Sequence, residues 1–491
     1  MDLEEFRQQA HELVDWMADY FAGVESYPVR SNVRPGDIIR QLPRTPPEQG
    51  EPFENLFADF QRIILPGITH WQHPSFFAYF TANTSYPSVL AEMLTATLGA
   101  QCMSWQTSPA AAELEERVME WMRQLIGLPD GFTGVIQDTA STATLCSLIT
   151  AREKHTGFAI NRGGFAGAAA RPDAPGSPDA AGSPGRLSRP FTIYASTEAH
   201  SSIEKAVKIA GFGKEHLRKI EVDRDFAMIP RALESAVEDD IRGGYRPLAV
   251  VAAMGTTGST AVDPLEEIGH ICKRHGLWLH IDAAYAGTAL VLPEMRWMSR
   301  GVELADSFVF NPHKWMFTNF DCSAYFVQDT EALVRTFEIL PEYLKTREGD
   351  RVNNYRDWGI PLGRRFRALK LWFVIRSFGA AGIREKIGAH IQWAKELAAE
   401  IDAAEEFELL APVPLALVCF RYRPQGVSDP DELNALNARL LEAVNDTGKL
   451  YLTHTKLGGT YALRLNIGQT RTEKRHVEQA WALIRKMAGE L

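Results

Sequence analysis

Between about residues 133 and 327, short apolar runs alternate with helix-length segments, and this alternation limits the fold more than any other feature of the chain. The runs are Gly134-Val135-Ile136, Thr192-Ile193-Tyr194, Ala249-Val250-Val251-Ala252, Trp278 to Ile281 and Phe308-Val309-Phe310. Strands that are apolar on both faces must be covered on both, and parallel strands need a crossover, usually a helix. The pattern predicts an α/β fold with a mainly parallel sheet, whose ligands bind beyond the carboxyl ends of the strands.

Two chemically apt residues fall at such ends. Leu277-Trp278-Leu279-His280-Ile281 runs into Asp282, and Ser307-Phe308-Val309-Phe310 runs into Asn311-Pro312-His313-Lys314-Trp315. An amine can hold a cofactor aldehyde, and a carboxylate can keep a pyridine nitrogen protonated as an electron sink. Together they are what a pyridoxal 5'-phosphate site requires. Its phosphate needs N–H and hydroxyl donors at a helix start. Asp138-Thr139-Ala140-Ser141-Thr142 meets that need, with an ordinary N-cap as its other reading, and Asn311 is a second contributor. His200, after the strand at 192–194, is either structural or a ring stacked on the pyridine. Met254-Gly255-Thr256-Thr257-Gly258 is either a turn or a support for the ring.

The chain has 491 residues, of which 45% are apolar, enough for two or three domains. A net charge of -10 argues against nucleic acid or an acidic membrane as partner. Five cysteines without a C-x-x-C pair fit reduced thiols. The acidic start Met1-Asp2-Leu3-Glu4-Glu5 and the lack of an apolar run of roughly 18 residues predict a cytoplasmic, non-membrane protein.

Phe6, Ala10, Leu13, Val14, Met17, Tyr20 and Phe21 recur at helical spacing, predicting an amphipathic helix over 2–24 that packs within the subunit or across a dimer. Ser108-Pro109 caps a helix that stops near Gly127. Residues 161–190, rich in Gly, Ala, Pro, Ser and Arg, read as a mobile surface insertion. The expected domains are a helical dimerisation segment over 1–85, a large cofactor domain over 86–371 and a small α/β domain over 372–491, with helices near 380–404 and 430–446 and strands at 416–420 and 461–465.

The constellation resembles the group II pyridoxal-phosphate decarboxylases, and within them the aromatic-L-amino-acid decarboxylases. The blocks that carry the resemblance include His70-Trp71, Phe77-Ala78-Tyr79-Phe80, Ser85-Tyr86-Pro87, Ala199-His200-Ser201-Ser202, His280-Ile281-Asp282-Ala283-Ala284-Tyr285, Asn311-Pro312-His313-Lys314-Trp315 and Pro361-Leu362-Gly363-Arg364-Arg365-Phe366-Arg367. It runs from about residue 3 to 485 and implies the aspartate aminotransferase-like fold type I, with homodimers whose active sites lie between subunits. By the resemblance Lys314 is the Schiff-base lysine, Asp282 the pyridine-nitrogen partner, His200 the stacking residue and Tyr343 the proton donor of a catalytic loop. Ala140, Ser141, Asn311 and His313 border the phosphate, and Thr257 and Ala284 support the ring. Trp71, Tyr79, Phe80, Thr81, Ala82 and His200 face the substrate.

The implied reaction is decarboxylation of an aromatic L-amino acid to its amine, with no metal. An oxidative aldehyde synthase of the same family, in which phenylalanine commonly replaces the Tyr343 match, is the alternative. Phe80-Thr81-Ala82-Asn83 departs from the Phe-Pro-Thr-Ala of animal relatives, and the loop between Lys345 and Tyr355 is shorter. A zinc site from His270, Cys272, His275 and His280 is disfavoured, because residues five apart on a helix diverge.

Overall fold

The computed structural model describes residues 1–169, 189–339 and 351–491, with side chains described only to 166 in the first span. Each predicted run becomes a strand: β1 Thr133–Gln137, β2 Phe191–Ser196, β4 Arg246–Ala253, β5 Trp278–Asp282 and β6 Ser307–Phe310. Sequence reading missed β3 Leu217–Ile220 and β7 Ser323–Val327. The seven strands are ordered β1-β7-β6-β5-β4-β2-β3. β7 runs antiparallel to both its neighbours, while β3, β2, β4, β5 and β6 pair in parallel. The fold is therefore the expected α/β architecture with a mainly parallel central sheet.

Alternate strand residues point to opposite faces, and the two faces are covered by different helices. On one, Ile193, Ala249, Val251, Trp278 and Val309 share a core with Ala143, Leu148, Ile203 and Val207 from the helices Ala140–His155 and Ser201–Ile209. The other is covered by Pro230–Arg242 and Leu265–His275. Registers Ala253↔Asp282 and Asp282↔Val309 bring the carboxyl ends of β4, β5 and β6 level.

The chain divides into two compact units, Ala82–Gln392 with Ala411–Leu417, and Met1–Thr81 with Trp393–Leu410 and Val418–Leu491. The sequence draws its boundaries at 85/86 and 371/372. The helical span Arg367–Asp402 is interrupted at Gly379 (φ 64°, ψ 168°), so a helix begins near 380 as expected, and the unit boundary after Gln392 falls inside that helix, where no sequence signal marks it. The smaller sheet has the order β10-β11-β9-β8, from β8 Phe407–Leu409, β9 Leu417–Tyr422, β10 Thr453–Leu457 and β11 Thr460–Asn466. The helix Pro430–Asp446 matches its expected span, and Pro109–Ile126 ends at a left-handed Gly127.

The amphipathic helix forms over Leu3–Gly23, closed by a capping box between Asp2 and Glu5, but Phe6 and Val14 stay exposed and only Gln9 is buried. The rest of its apolar face is half-buried within the chain, with Trp16 edge-on to Phe57 (5.8 Å) and Phe60 (5.3 Å) and the Tyr20 hydroxyl 2.9 Å from His70 Nδ1. The stretch 161–190 begins within the helical span Ala159–Ala169, which is interrupted at Gly164 (φ 64°), with Phe165 edge-on to Phe212 (6.4 Å) and the Arg152 guanidinium over its ring (5.3 Å). One aromatic in a Gly/Ala-rich run gave no legible period. Residues 170–188 lie outside the described residues.

β1 is fixed from outside the sheet by a buried ion pair. Glu115 accepts from both Arg364 terminal nitrogens (3.1 and 2.6 Å) and from Ile136 N–H (2.9 Å), and Arg364 donates to Ile136 O (2.7 Å). Both residues are buried. Removing one charge strands the other, which costs more than the pair itself contributes. Glu115→Ala should therefore destabilise the protein by roughly 3–5 kcal/mol in urea unfolding, and replacing both residues by methionine should recover most of that loss.

Candidate active site

Three turns leave the level strand ends. After β4, Gly255 adopts φ +85°, and a Cβ there would meet Ala286 Cβ at 2.6 Å, so only glycine fits without displacement. Thr256 Oγ1 accepts from Ala261 N–H (3.1 Å) and closes this turn, with Thr257 exposed beside it. After β5, Asp282 Oδ1 accepts from Ala284 N–H (3.1 Å), and Ala284 O accepts from Asn311 N–H (3.0 Å), tying the second turn to the third. After β6, Pro312–Trp315 forms one helical turn, which presents Lys314.

Beneath the lysine, Tyr285 and Trp315 stack at 4.5 Å and 5°, both fully buried, and Trp315 Nε1 donates to His390 Nδ1 (3.0 Å). Asn311 Oδ1 accepts from Ser323 Oγ (2.7 Å), which also lies 3.3 Å from Asp138 O. The lysine turn is thereby tied to the segment before the helix Ala140–His155. Thr139 caps that helix, its Oγ1 accepting from Thr142 N–H (3.3 Å). The helix starts at Ala140 rather than near Thr142, so Ala140 and Ser141 are its first residues, where N–H groups lack intrahelical acceptors. Phosphate-type anions bind at such ends.

Electrostatics link the central three groups. Burial lowers the Lys314 pKa, with the Asp282 carboxylate opposing. Lys314 as a whole keeps intermediate exposure, while its amine end is enclosed by protein. Burial also lowers the His200 pKa, with Asp282 opposing and Lys314 reinforcing. His200 precedes the helix Ser201–Ile209, and its Nδ1 lies 2.7 Å from Ser202 Oγ and accepts from Ser202 N–H (3.2 Å). His313 uses Nδ1 to accept from Cys322 N–H (2.9 Å), and burial lowers its pKa to about 3.

The structure thus brings Asp282, Ala284, Asn311, Lys314 and the start of the Ala140 helix together by direct hydrogen bonds or chain continuity, with His200 in electrostatic reach. Trp71, Tyr79, Phe80 and Thr81 belong to the other compact unit. There Trp71 stacks on Phe76 (4.4 Å) and Tyr79 (5.7 Å), and the Arg464 guanidinium lies over Phe80 (5.4 Å). Ala82 opens the larger unit. Tyr343 lies outside the described residues. Sequence reasoning gave no role to Ser323 or Asn83, polar residues in apolar surroundings whose partners no spacing rule marks. His280, once a candidate zinc ligand, is fully buried with Nε2 3.1 Å from Thr144 Oγ1 and Nδ1 2.9 Å from Ser307 Oγ. Among the described residues no group of three or more His, Cys, Asp or Glu is placed to hold a metal ion.

Comparison with known proteins gives this arrangement its class. The pattern described as "Pyridoxal-dependent decarboxylase conserved domain" matches residues 35–423. A tyrosine decarboxylase from Petroselinum crispum is 42% identical, over 100% of this chain and 94% of its own. Phenylacetaldehyde synthase from Arabidopsis thaliana is 42% identical, over 100% and 97%. The crystal structure of Catharanthus roseus tryptophan decarboxylase in complex with L-tryptophan superimposes with a TM-score of 0.90 at 37% identity, covering 100% of this chain and 99% of that one. The chain belongs to the pyridoxal-dependent decarboxylase family, and its cofactor is pyridoxal 5'-phosphate. The donor set fits that group: an enclosed amine of lowered pKa, a carboxylate at a strand end, an imidazole near both and a helix start for the phosphate.

His280 gives the fold a measurable pH dependence. The unfolded chain takes up this proton near pH 6.5, whereas burial lowers the folded value to about 4, so its contribution to stability is full above pH 6.5 and falls as pH drops towards 4. His280→Gln should flatten the loss of unfolding free energy across that window by roughly 3 kcal/mol relative to the parent, read from urea curves at successive pH values.

Proposed function

We propose that this chain decarboxylates aromatic L-amino acids, of the tryptophan, tyrosine, dopa, 5-hydroxytryptophan and phenylalanine class, to the corresponding amine and carbon dioxide. The observation that carries the reading is the electrostatic grouping of Lys314, Asp282 and His200 at level strand ends. Its substrate class follows the names of the full-length relatives.

Bound pyridoxal phosphate supplies an electron sink for the bond to the departing carboxylate. Lys314 provides the amine that holds the cofactor aldehyde, and its lowered pKa leaves more of that amine unprotonated and nucleophilic. Asp282 would keep the pyridine nitrogen protonated, and His200 would cover the ring. Ala140, Ser141, Asn311 and His313 would hold the phosphate, and Thr257 and Ala284 would support the ring. Of the substrate-facing residues expected from the sequence, Ala82 and His200 would orient the substrate for loss of its carboxylate, which selects decarboxylation over transamination. Tyr343 delivers a proton to the substrate carbon once carbon dioxide has left.

The working unit in this reading is a cytoplasmic homodimer with its active sites between subunits. Support comes from apolar residues exposed on a single chain: Leu3, Phe6 and Val14 on the first helix, and Tyr86, Leu90 and Leu98 on the helix Tyr86–Leu98. Among the described residues no helix is long and apolar enough to cross a membrane.

Mass spectrometry of products from the cofactor-loaded enzyme with tryptophan, tyrosine, dopa, phenylalanine and glutamate tests the reading. Amines should form from the aromatic substrates, and Lys314→Ala should lower turnover by about 10³-fold or more. Tyr343→Phe should divert product to aldehyde, ammonia and hydrogen peroxide in the presence of oxygen. Aldehyde as the main product of the unaltered enzyme would move it to the oxidative branch represented by phenylacetaldehyde synthase.

A further inference from the structure

The lysine turn has a weakness built into its length. Pro312–Trp315 is one turn long, and of its carbonyls only Pro312 O accepts an N–H from the turn's own end, that of Met316. Carbonyls at a helix end lack intrahelical donors and must find them elsewhere. The next two, on His313 and Lys314, find them on one residue. Asn83 N–H donates to His313 O (3.0 Å), and Asn83 Nδ2 donates to Lys314 O (2.5 Å). Asn83 is 2% exposed, so water does not replace these donors. Two residues on, Ser85 Oγ donates to Phe317 O (2.7 Å), and Ser85 also begins the helix Tyr86–Leu98 in a capping box with Ser88.

Resting on Lys314 as the amine that holds the cofactor, we propose that Asn83 is a positioning residue for it. The Asn83 amide fixes the peptide from which the lysine side chain departs, and so sets where the amine lies relative to Asp282 and the ring. Without Nδ2 the peptide can rotate, and the amine samples positions from which attack is misaligned. Such loss of orientation lowers turnover more than substrate affinity. Ser85 acts on the same segment beyond the lysine, so it reports stability without position.

The experiment compares Asn83→Asp, Asn83→Ala and Ser85→Ala with the parent holoenzyme. Asn83→Asp keeps the shape but presents an oxygen to Lys314 O, so it remains informative if the alanine variant folds poorly. Three quantities are read: the pH midpoint of the visible cofactor band without substrate, kcat and KM separately, and the melting temperature. Both Asn83 variants should move the midpoint by about half a pH unit or more and lower kcat about tenfold, with KM within about threefold. Ser85→Ala should leave the midpoint and kcat near the parent values, whatever its melting temperature. Asn83 variants that melt lower yet keep the parent midpoint and kcat would overturn the proposal. Borohydride trapping separates this from failure of the underlying reading: a cofactor adduct away from Lys314 would sink both, whereas an adduct on Lys314 with unmoved midpoint and kcat sinks Asn83 alone.

Discussion

The parallel pairing of β4, β5 and β6 is the constraint on which the site depends, because it leaves three chain ends side by side at one edge of the sheet. Strand residues beyond the last ladder bond need new partners for their N–H and C=O groups. Here they find them in one another: Ala283 N–H donates to Val309 O, Asn311 N–H to Ala284 O, and Met254 N–H to Asp282 O. The same bonds that terminate the sheet therefore hold Asp282 and the lysine turn at a fixed separation.

Behind that edge lies a polar layer within an otherwise apolar core. Trp278 Nε1, Ser147 Oγ, Ser307 Oγ, His280 and Thr144 form a connected set across β5, β6 and the helix Ala140–His155. Trp278, His280 and Asp282 alternate along β5 and share one face. The face that carries Asp282 is thus also the face locked to the helix Ala140–His155, whose start is suited to an anion. A fully bonded buried network is rigid and geometrically exacting, whereas a partly bonded one is costly.

Much of this was legible in the sequence, and unevenly so. Five of the seven large-sheet strands announced themselves because burial on both faces writes a continuous apolar run, as in β5 and β6. β3, Leu-Arg-Lys-Ile, stayed hidden because an edge strand has a half-exposed face and mixes charge into a short span. Asp282 and Lys314 were readable because strand end and chemical type coincide. Asn83 was noticed only as a departure from a motif, since its side chain reaches a main-chain carbonyl 231 positions away, which leaves no periodic trace. The amphipathic first helix was legible from its period alone, and Trp16 and Tyr20 on it meet Phe57, Phe60 and His70.

The five cysteines, scattered and unremarkable in sequence, are all buried, and burial raises every one of their thiol pKa values. Thiolate, the reactive form, is therefore scarce and out of reach while the chain is folded. Cys146 lies in the helix Ala140–His155 on one face of the large sheet, Cys272 in a helix on the opposite face, Cys322 beside β7 and Cys419 in the smaller sheet. An alkylating reagent must wait for each region to open before it can react. The spread of its rates across these positions is a built-in clock for local unfolding, layer by layer.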